Sequence, residues 1–277
     1  MAHPQIATFA RLADKNAKPL RKIEGQKTLL GRTMHAIAYD PIHDEFSVPQ
    51  QLSQGILTFR GDANGEEPPI RVIQGPLTQL REPDRLEVDP VHNEIFVPEG
   101  NRVLVYPREA NGNVAPIRII EGPDTQLGAQ AVAVDPIHDV LVVGGSSRRL
   151  GTRLLIFNRT DNGNVKPKAV IGGPKSGMLS LGGPFTVYPP KGEIIVSIRG
   201  GGGEETEEAP VMSSDDCFVG VWSVQDNGDV PPRFTIGGPK GVLKMVRGVA
   251  LDPKNKSLIV SDKRMNAVMT FYFPEMF

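Results

Sequence analysis

Hydrophobic and polar positions alternate along this chain in short runs, and the runs recur as two phrases. The first phrase is AIAYDPIHDEFSV (36–48), LEVDPVHNEIFV (86–97), VAVDPIHDVLVV (132–143) and VALDPKNKSLIV (249–260), with a degenerate copy FTVYPPKGEIIV (185–196). The second is ILTFRGDANGEEPPIRVIQGP (56–76), VLVYPREANGNVAPIRIIEGP (103–123), LLIFNRTDNGNVKPKAVIGGP (154–174) and FVGVWSVQDNGDVPPRFTIGGP (218–239). Each phrase reads as two strands around a turn. Asp-Pro followed by polar residues cannot prolong a strand, because Pro lacks a ladder donor and fixes φ. Asn-Gly (Asn64-Gly65, Asn111-Gly112, Asn162-Gly163, Asn227-Gly228) is a tight-hairpin signal, since glycine accepts positive φ. Gly-Pro then closes the unit. No stretch sustains helical periodicity.

Four antiparallel strands per about 45 residues predict an all-β chain, a single β-propeller of four-stranded blades (strands A to D). The blades span about 33–73, 84–120, 129–171, 183–236, and 246–273 joined with 5–23. In that reading the terminal strands share one blade and close the ring. Five blades are counted; the surplus C-like strand, 6–10 or 267–273, leaves a count of six open.

Along strand A, Ile37/Tyr39, Leu86/Val88, Val132/Val134, Phe185/Val187 and Val249/Leu251 are expected to pack between blades. Their alternates face a central channel and are small, except Arg85 and Glu87. A charged pair in a narrow channel must be satisfied by itself, by water or by a ligand. His35, Asp84 and Arg247 sit one step earlier, and Glu99 ends a B strand nearby. The candidate site is therefore Arg85, Arg247, Asp84 and Glu99 for ligand binding, with Glu87 and His35 as catalytic groups if the protein is an enzyme. An internal ion pair linking Arg85 to Glu87 or Asp84 is the structural alternative.

Formal charge is −1, so no global field draws the chain to nucleic acid or membrane. Locally, loops on the channel-mouth face carry Lys27, Arg32, Arg81, Arg102, Arg148, Arg149, Arg153, Lys175 and Lys263, while acids gather at the opposite turns. This polarity predicts a small anionic ligand, or a protein partner, on the basic face. The insertion at 200–217, four glycines and then acids, is expected to act as a lid over that face.

His43, His92 and His138 share one turn position, which the fourth full repeat fills with Asn255, so they are read as structural. No Gly-x-Ser-x-Gly elbow and no phosphate loop occur. Cys217 is the single cysteine, which excludes an intramolecular disulfide. No apolar run reaches the length of a membrane span, and no apolar leader opens the chain, so a soluble protein is expected, cytoplasmic or exported with its signal removed.

The phrase VDPxxNEIxV with its C strand and Asn-Gly turn resembles NHL-type propeller repeats over nearly the whole chain. More distantly it is similar to the gluconolactonase/senescence-marker and paraoxonase propellers. That resemblance implies either an interaction module or a metal-assisted hydrolase of esters, lactones or phosphoesters. The hydrolases would place a divalent cation such as calcium at the channel mouth, but their ligand set does not map onto this chain residue by residue.

Overall fold

In the computed structural model, which describes residues 4–147, 150–199, 217–238 and 241–277, all regular structure is strand except for short 3-10 turns. The fold is an all-β propeller of five antiparallel blades. An N-terminal hairpin, β1 (Gln5–Thr8) and β2 (Arg21–Glu24), precedes the first blade. That blade is β3 (Ala38–Asp40), β4 (Glu45–Gln50), β5 (Gly55–Arg60) and β6 (Arg71–Gln74). The second is β7 (Glu87–Asp89), β8 (Glu94–Glu99), β9 (Arg102–Pro107) and β10 (Arg118–Glu121). The third is β11 (Ala129–Asp135), β12 (Val140–Ser147), β13 (Gly151–Asn158) and β14 (Ala169–Gly172). The fourth comprises β15 (Ser180–Leu181), β16 (Thr186–Tyr188), β17 (Glu193–Arg199), β18 (Phe218–Ser223) and β19 (Phe234–Gly237). The last is β20 (Val246–Asp252), β21 (Ser257–Asp262) and β22 (Ala267–Tyr272). The strands expected to share one blade thus form a three-stranded sheet, β20-β21-β22, and a two-stranded one, β1-β2.

The chain divides into two compact units, residues 1–99 with 104–119, and residues 100–103 with 120–277. In the first unit, Ala38, Ile56 and Ile73 pack against Leu86, Val88, Ile95, Val97, Leu104 and Tyr106. The other face of the first blade (Phe46, Val48, Leu57, Phe59) is covered by Ile6 and Ile23 of the hairpin. In the second unit, Phe185, Ile194, Val196 and Trp222 fill the core against Ala131, Val142, Leu154 and Ile171. Its final sheet packs Leu258 and Val260 on Ile195, Val219 and Val221.

One packing expectation fails. Ile37 and Tyr39 are 57% and 55% exposed, not buried between blades. The hairpin that covers this face in the first unit supplies strands opposite the outer part of the blade, and Tyr39 instead donates from its hydroxyl to Asp44 Oδ1 at 2.8 Å.

The Asn-Gly pairs also do something other than close a tight hairpin. Gly65, Gly112, Gly163 and Gly228 have positive φ while the preceding asparagines do not, so the type I′ geometry is absent. Each lies inside a long C–D connection and reaches the D strand of the preceding repeat. Asn64 Oδ1 accepts from Lys22 N–H, and Asn227 Oδ1 from Val170 N–H at 3.0 Å. The glycines add parallel bridges, Ile23 with Gly65, Ile73 with Gly112, Ile120 with Gly163 and Ile171 with Gly228. The Gly of each Gly-Pro pair is required for a related reason. Gly75 has φ of 124°, and a Cβ there would lie 2.6 Å from the Asn113 side chain.

Candidate functional site

His35 and Asp84 immediately precede the strands that start the first two blades, and β3 packs beside β7. His35 Nδ1 is hydrogen-bonded to Asp84 Oδ1, and Arg85 Nε lies 3.7 Å from Asp84 Oδ2. One carboxylate therefore bonds an imidazole and lies within ion-pair distance of a guanidinium. The His35 side chain remains 55% exposed, whereas that of Arg85 is only 19% exposed.

Glu87 opens β7, two residues beyond Arg85. The residue is half-buried. Burial pushes its pKa up to about 8; the Val88 backbone N–H opposes the shift and the Asp89 charge adds to it. At neutral pH Glu87 is a neutral acid and a hydrogen-bond donor. This state is invisible in the sequence, where Glu87 reads as a charged partner for Arg85.

Glu99 is committed to the backbone. Its Oε1 accepts the N–H groups of Arg81 and Glu82 at 2.8 and 3.0 Å. Gln50 Oε1 holds Gly31 N–H in the same manner. In the second unit Asp262 Oδ2 accepts from Lys244 and Met245, while its Oδ1 accepts from Arg264 and Met265. Burial alone would raise the Asp262 pKa, but those four donors outweigh it and lower the value. These residues anchor the loops that enter the next strands. The signal for that role was the shared position of Gln50, Glu99 and Asp262 at the end of strand B.

Arg247 belongs to the second unit, in β20, where its carbonyl abuts Gly183 so closely that a Cβ there would lie 1.6 Å from it. The site in the first unit thus comprises His35, Asp84, Arg85 and Glu87, with Glu99 behind the loop.

The basic face needs correcting as well. Arg102 and Arg153, counted above as loop cations, are 5% and 8% exposed, buried at the start of β9 and within β13. Lys27, Arg32, Arg81, Lys175 and Lys263 are exposed. Arg148 and Arg149 and the acidic insertion 200–216 lie outside the described residues.

His43, His92 and His138 are turn residues. Their Nδ1 atoms lie 2.7–2.8 Å from Oδ2 of Asp40, Asp89 and Asp135, whose other oxygen accepts backbone N–H groups within the same turn. Asn255 Nδ2 makes the same bond to Asp252 at 2.7 Å, which is why Asn substitutes for His. Among the described residues no three His, Cys, Asp or Glu side chains are grouped to hold a metal ion, and no helix is long and apolar enough to cross a membrane.

No family model and no curated protein sequence matches the chain. The NHL-type likeness is therefore one of repeat pattern. Solved structures do share the fold. Kuenenia stuttgartiensis hydrazine synthase aligns at a TM-score of 0.62 with 16% identity, over 91% of this chain and 67% of that one. A chain of the mitotic checkpoint complex aligns at 0.56 with 14% identity, over 91% of this chain and 64% of its own length. At such identities the likeness concerns the propeller alone, because unrelated functions are built on one fold.

Proposed function

We propose that the protein binds a small anionic ligand, carboxylate or phosphate in type, where the first two blades meet. The observation that carries this reading is the Asp84 carboxylate shared by His35 and Arg85. It sets an imidazole and a guanidinium side by side, an arrangement suited to receiving an oxyanion. Glu87, protonated below about pH 8, adds a hydrogen-bond donor and no repulsive charge. The exposed lysines and arginines of neighbouring loops would steer an anion toward them.

The His35–Asp84 pair is also the observation that favours a hydrolase, since an imidazole oriented by a carboxylate is the standard general base. In that reading Arg85 would stabilise the negative charge that develops on the substrate. Glu87 would act as a base only above about pH 8.

Calorimetric titration with acetate and with phosphate at fixed ionic strength tests the binding reading. Arg85→Ala should weaken binding by about tenfold or more, equivalent to about 1.4 kcal/mol. Affinity should also fall as pH passes the Glu87 pKa of about 8. Equal affinity in wild type, Arg85→Ala and His35→Ala would overturn it. Turnover of simple esters or lactones that vanishes in His35→Ala would instead establish the hydrolase.

A further inference from the structure

The Asn-Gly contacts between repeats each set one strand residue against two groups of a reactive dipeptide. Lys22 donates its N–H to Asn64 Oδ1 at 3.2 Å, and its carbonyl accepts from Gly65 N–H at 2.7 Å. Val72 holds Asn111 and Gly112 in the same way, at 2.9 and 2.6 Å. Val170 holds Asn227 and Gly228, at 3.0 and 2.7 Å.

Those two groups are the reactants of deamidation. The glycine nitrogen attacks asparagine Cγ and forms an N–Cγ bond, its proton passes to water, and the side-chain amide leaves as ammonia. Water then opens the resulting succinimide at either carbonyl, leaving aspartate or isoaspartate. Glycine carries no Cβ to hinder the attack. In the folded chain the attacking N–H and the side-chain oxygen are both engaged, so reaction requires the contact to open locally.

The three contacts differ in what they close on. Lys22 lies in β2, and among the described residues β1 and β2 form a sheet of two strands. Val72 and Val170 lie in β6 and β14, each the outer strand of a four-stranded sheet. A two-stranded hairpin alone is marginal in water, whereas larger sheets are not. Ile6 and Ile23 are the apolar side chains that tie this hairpin to the first blade. Crowding does not set the three apart: no atom stands within 4 Å of where a Cβ would lie at Gly65, Gly112 or Gly228. Ease of opening does.

We propose that Asn64 is a site of spontaneous deamidation, reached by local opening of the N-terminal hairpin, and that its isoaspartyl product releases the hairpin. Isoaspartate lengthens the main chain by one methylene, which shifts Gly65 out of register with Lys22. It shifts Gly65 equally against Glu24, whose N–H donates to the Gly65 carbonyl at 3.1 Å. Aspartate formed by the same route keeps the acceptor.

The test incubates the full chain at mildly alkaline pH, folded and in urea, and maps isoaspartate by peptide mass spectrometry. Each folded rate is divided by the rate of the same position in urea. On that scale position 64 should react at least about tenfold faster than 111 or 227, equivalent to about 1.4 kcal/mol in opening. Ile6→Ala weakens the hairpin's hold and should raise the folded rate at 64 by about tenfold, with 111 and 227 unchanged. Hydrogen exchange reads the consequence. Chains with isoaspartate at position 64 should lose protection at the Lys22 and Glu24 amides, while Gln74, bonded to the Gly112 carbonyl, keeps its own. Equal relative rates at the three positions, or an unaltered rate at 64 in Ile6→Ala, overturns the proposal.

Discussion

Asn111 Oδ1 accepts the backbone N–H of Val72 at 2.9 Å, joining the second blade's long connection to the fourth strand of the first. Asn113 Oδ1 accepts from Leu77 N–H at 2.8 Å, and Gly112 bridges Ile73 between them. Three consecutive residues thus clamp the neighbouring blade's outermost strand and the 3-10 turn that follows it.

Asn111→Ala should lower stability by about 1 kcal/mol, the net worth of a hydrogen bond, or about 2–4 °C in Tm for a chain of this size. Asn111→Asp keeps the acceptor and should be near neutral. Differential scanning calorimetry on the two variants separates the bond from the shape of the side chain; equal losses would show that the asparagine acts through turn preference alone.

The Asp–His turns make a substitution series. His92→Asn should fold with stability within about 0.5 kcal/mol of wild type, because Asn255 already plays this part toward Asp252. His92→Leu should cost about 1 kcal/mol, since it takes the donor from the Asp89 carboxylate. Urea unfolding checks both, with unchanged m values expected.

Glu45 is bonded to two guanidinium groups, those of Arg71 and of Arg108, the latter at 2.7 Å. All three side chains are at most 16% exposed. Removing the shared carboxylate takes from Arg71 its described acidic partner, while Arg108 keeps Glu109 at 3.0 Å and Asp40 at 3.7 Å, so Glu45→Ala should cost about 3 kcal/mol. Guanidinium chloride midpoints measure it, and a loss below about 1 kcal/mol would show that water compensates the arginines.

Glu87 predicts the direction of a pH effect. Its folded pKa of about 8 lies above the ordinary value of 4.5, so between those values the folded chain holds a proton that the unfolded chain has released. Stability therefore falls as pH rises through that window, by up to about 1.4 kcal/mol per pH unit from this group, and levels off above it. Glu87→Gln should remove this slope and be relatively more stable than wild type near pH 8. Parallel stability–pH curves for the two proteins would refute the buried acid.

The residues of the candidate site were legible as positions and opaque as chemistry. Arg85 was picked out because a charge is out of place on an inner strand, and His35 and Asp84 because they sit one step earlier; the three side chains lie side by side in the fold. The role of Glu99 was hidden, because sequence places a carboxylate near a loop but cannot say that two backbone N–H groups point at it. Arg102 and Arg153 were misread as loop cations for the same reason. A long side chain at a strand start is solvated or buried according to what packs over it.

Local chemistry was enough to determine most strand pairs, the Asp-Pro turns and the blade repeat. Proline ends a ladder, aspartate and histidine close a turn, and alternation selects a face, all within a few residues. The rest waited on residues distant in the chain. The Asn-Gly pairs became clamps between blades because another repeat's backbone offers the donor. The burial that raises the Glu87 pKa exists only in the folded chain. Gly145 is dictated by the Gly128 carbonyl lying where its side chain would be. Burial and desolvation are properties of assembled surfaces, and only the tertiary structure assembles them.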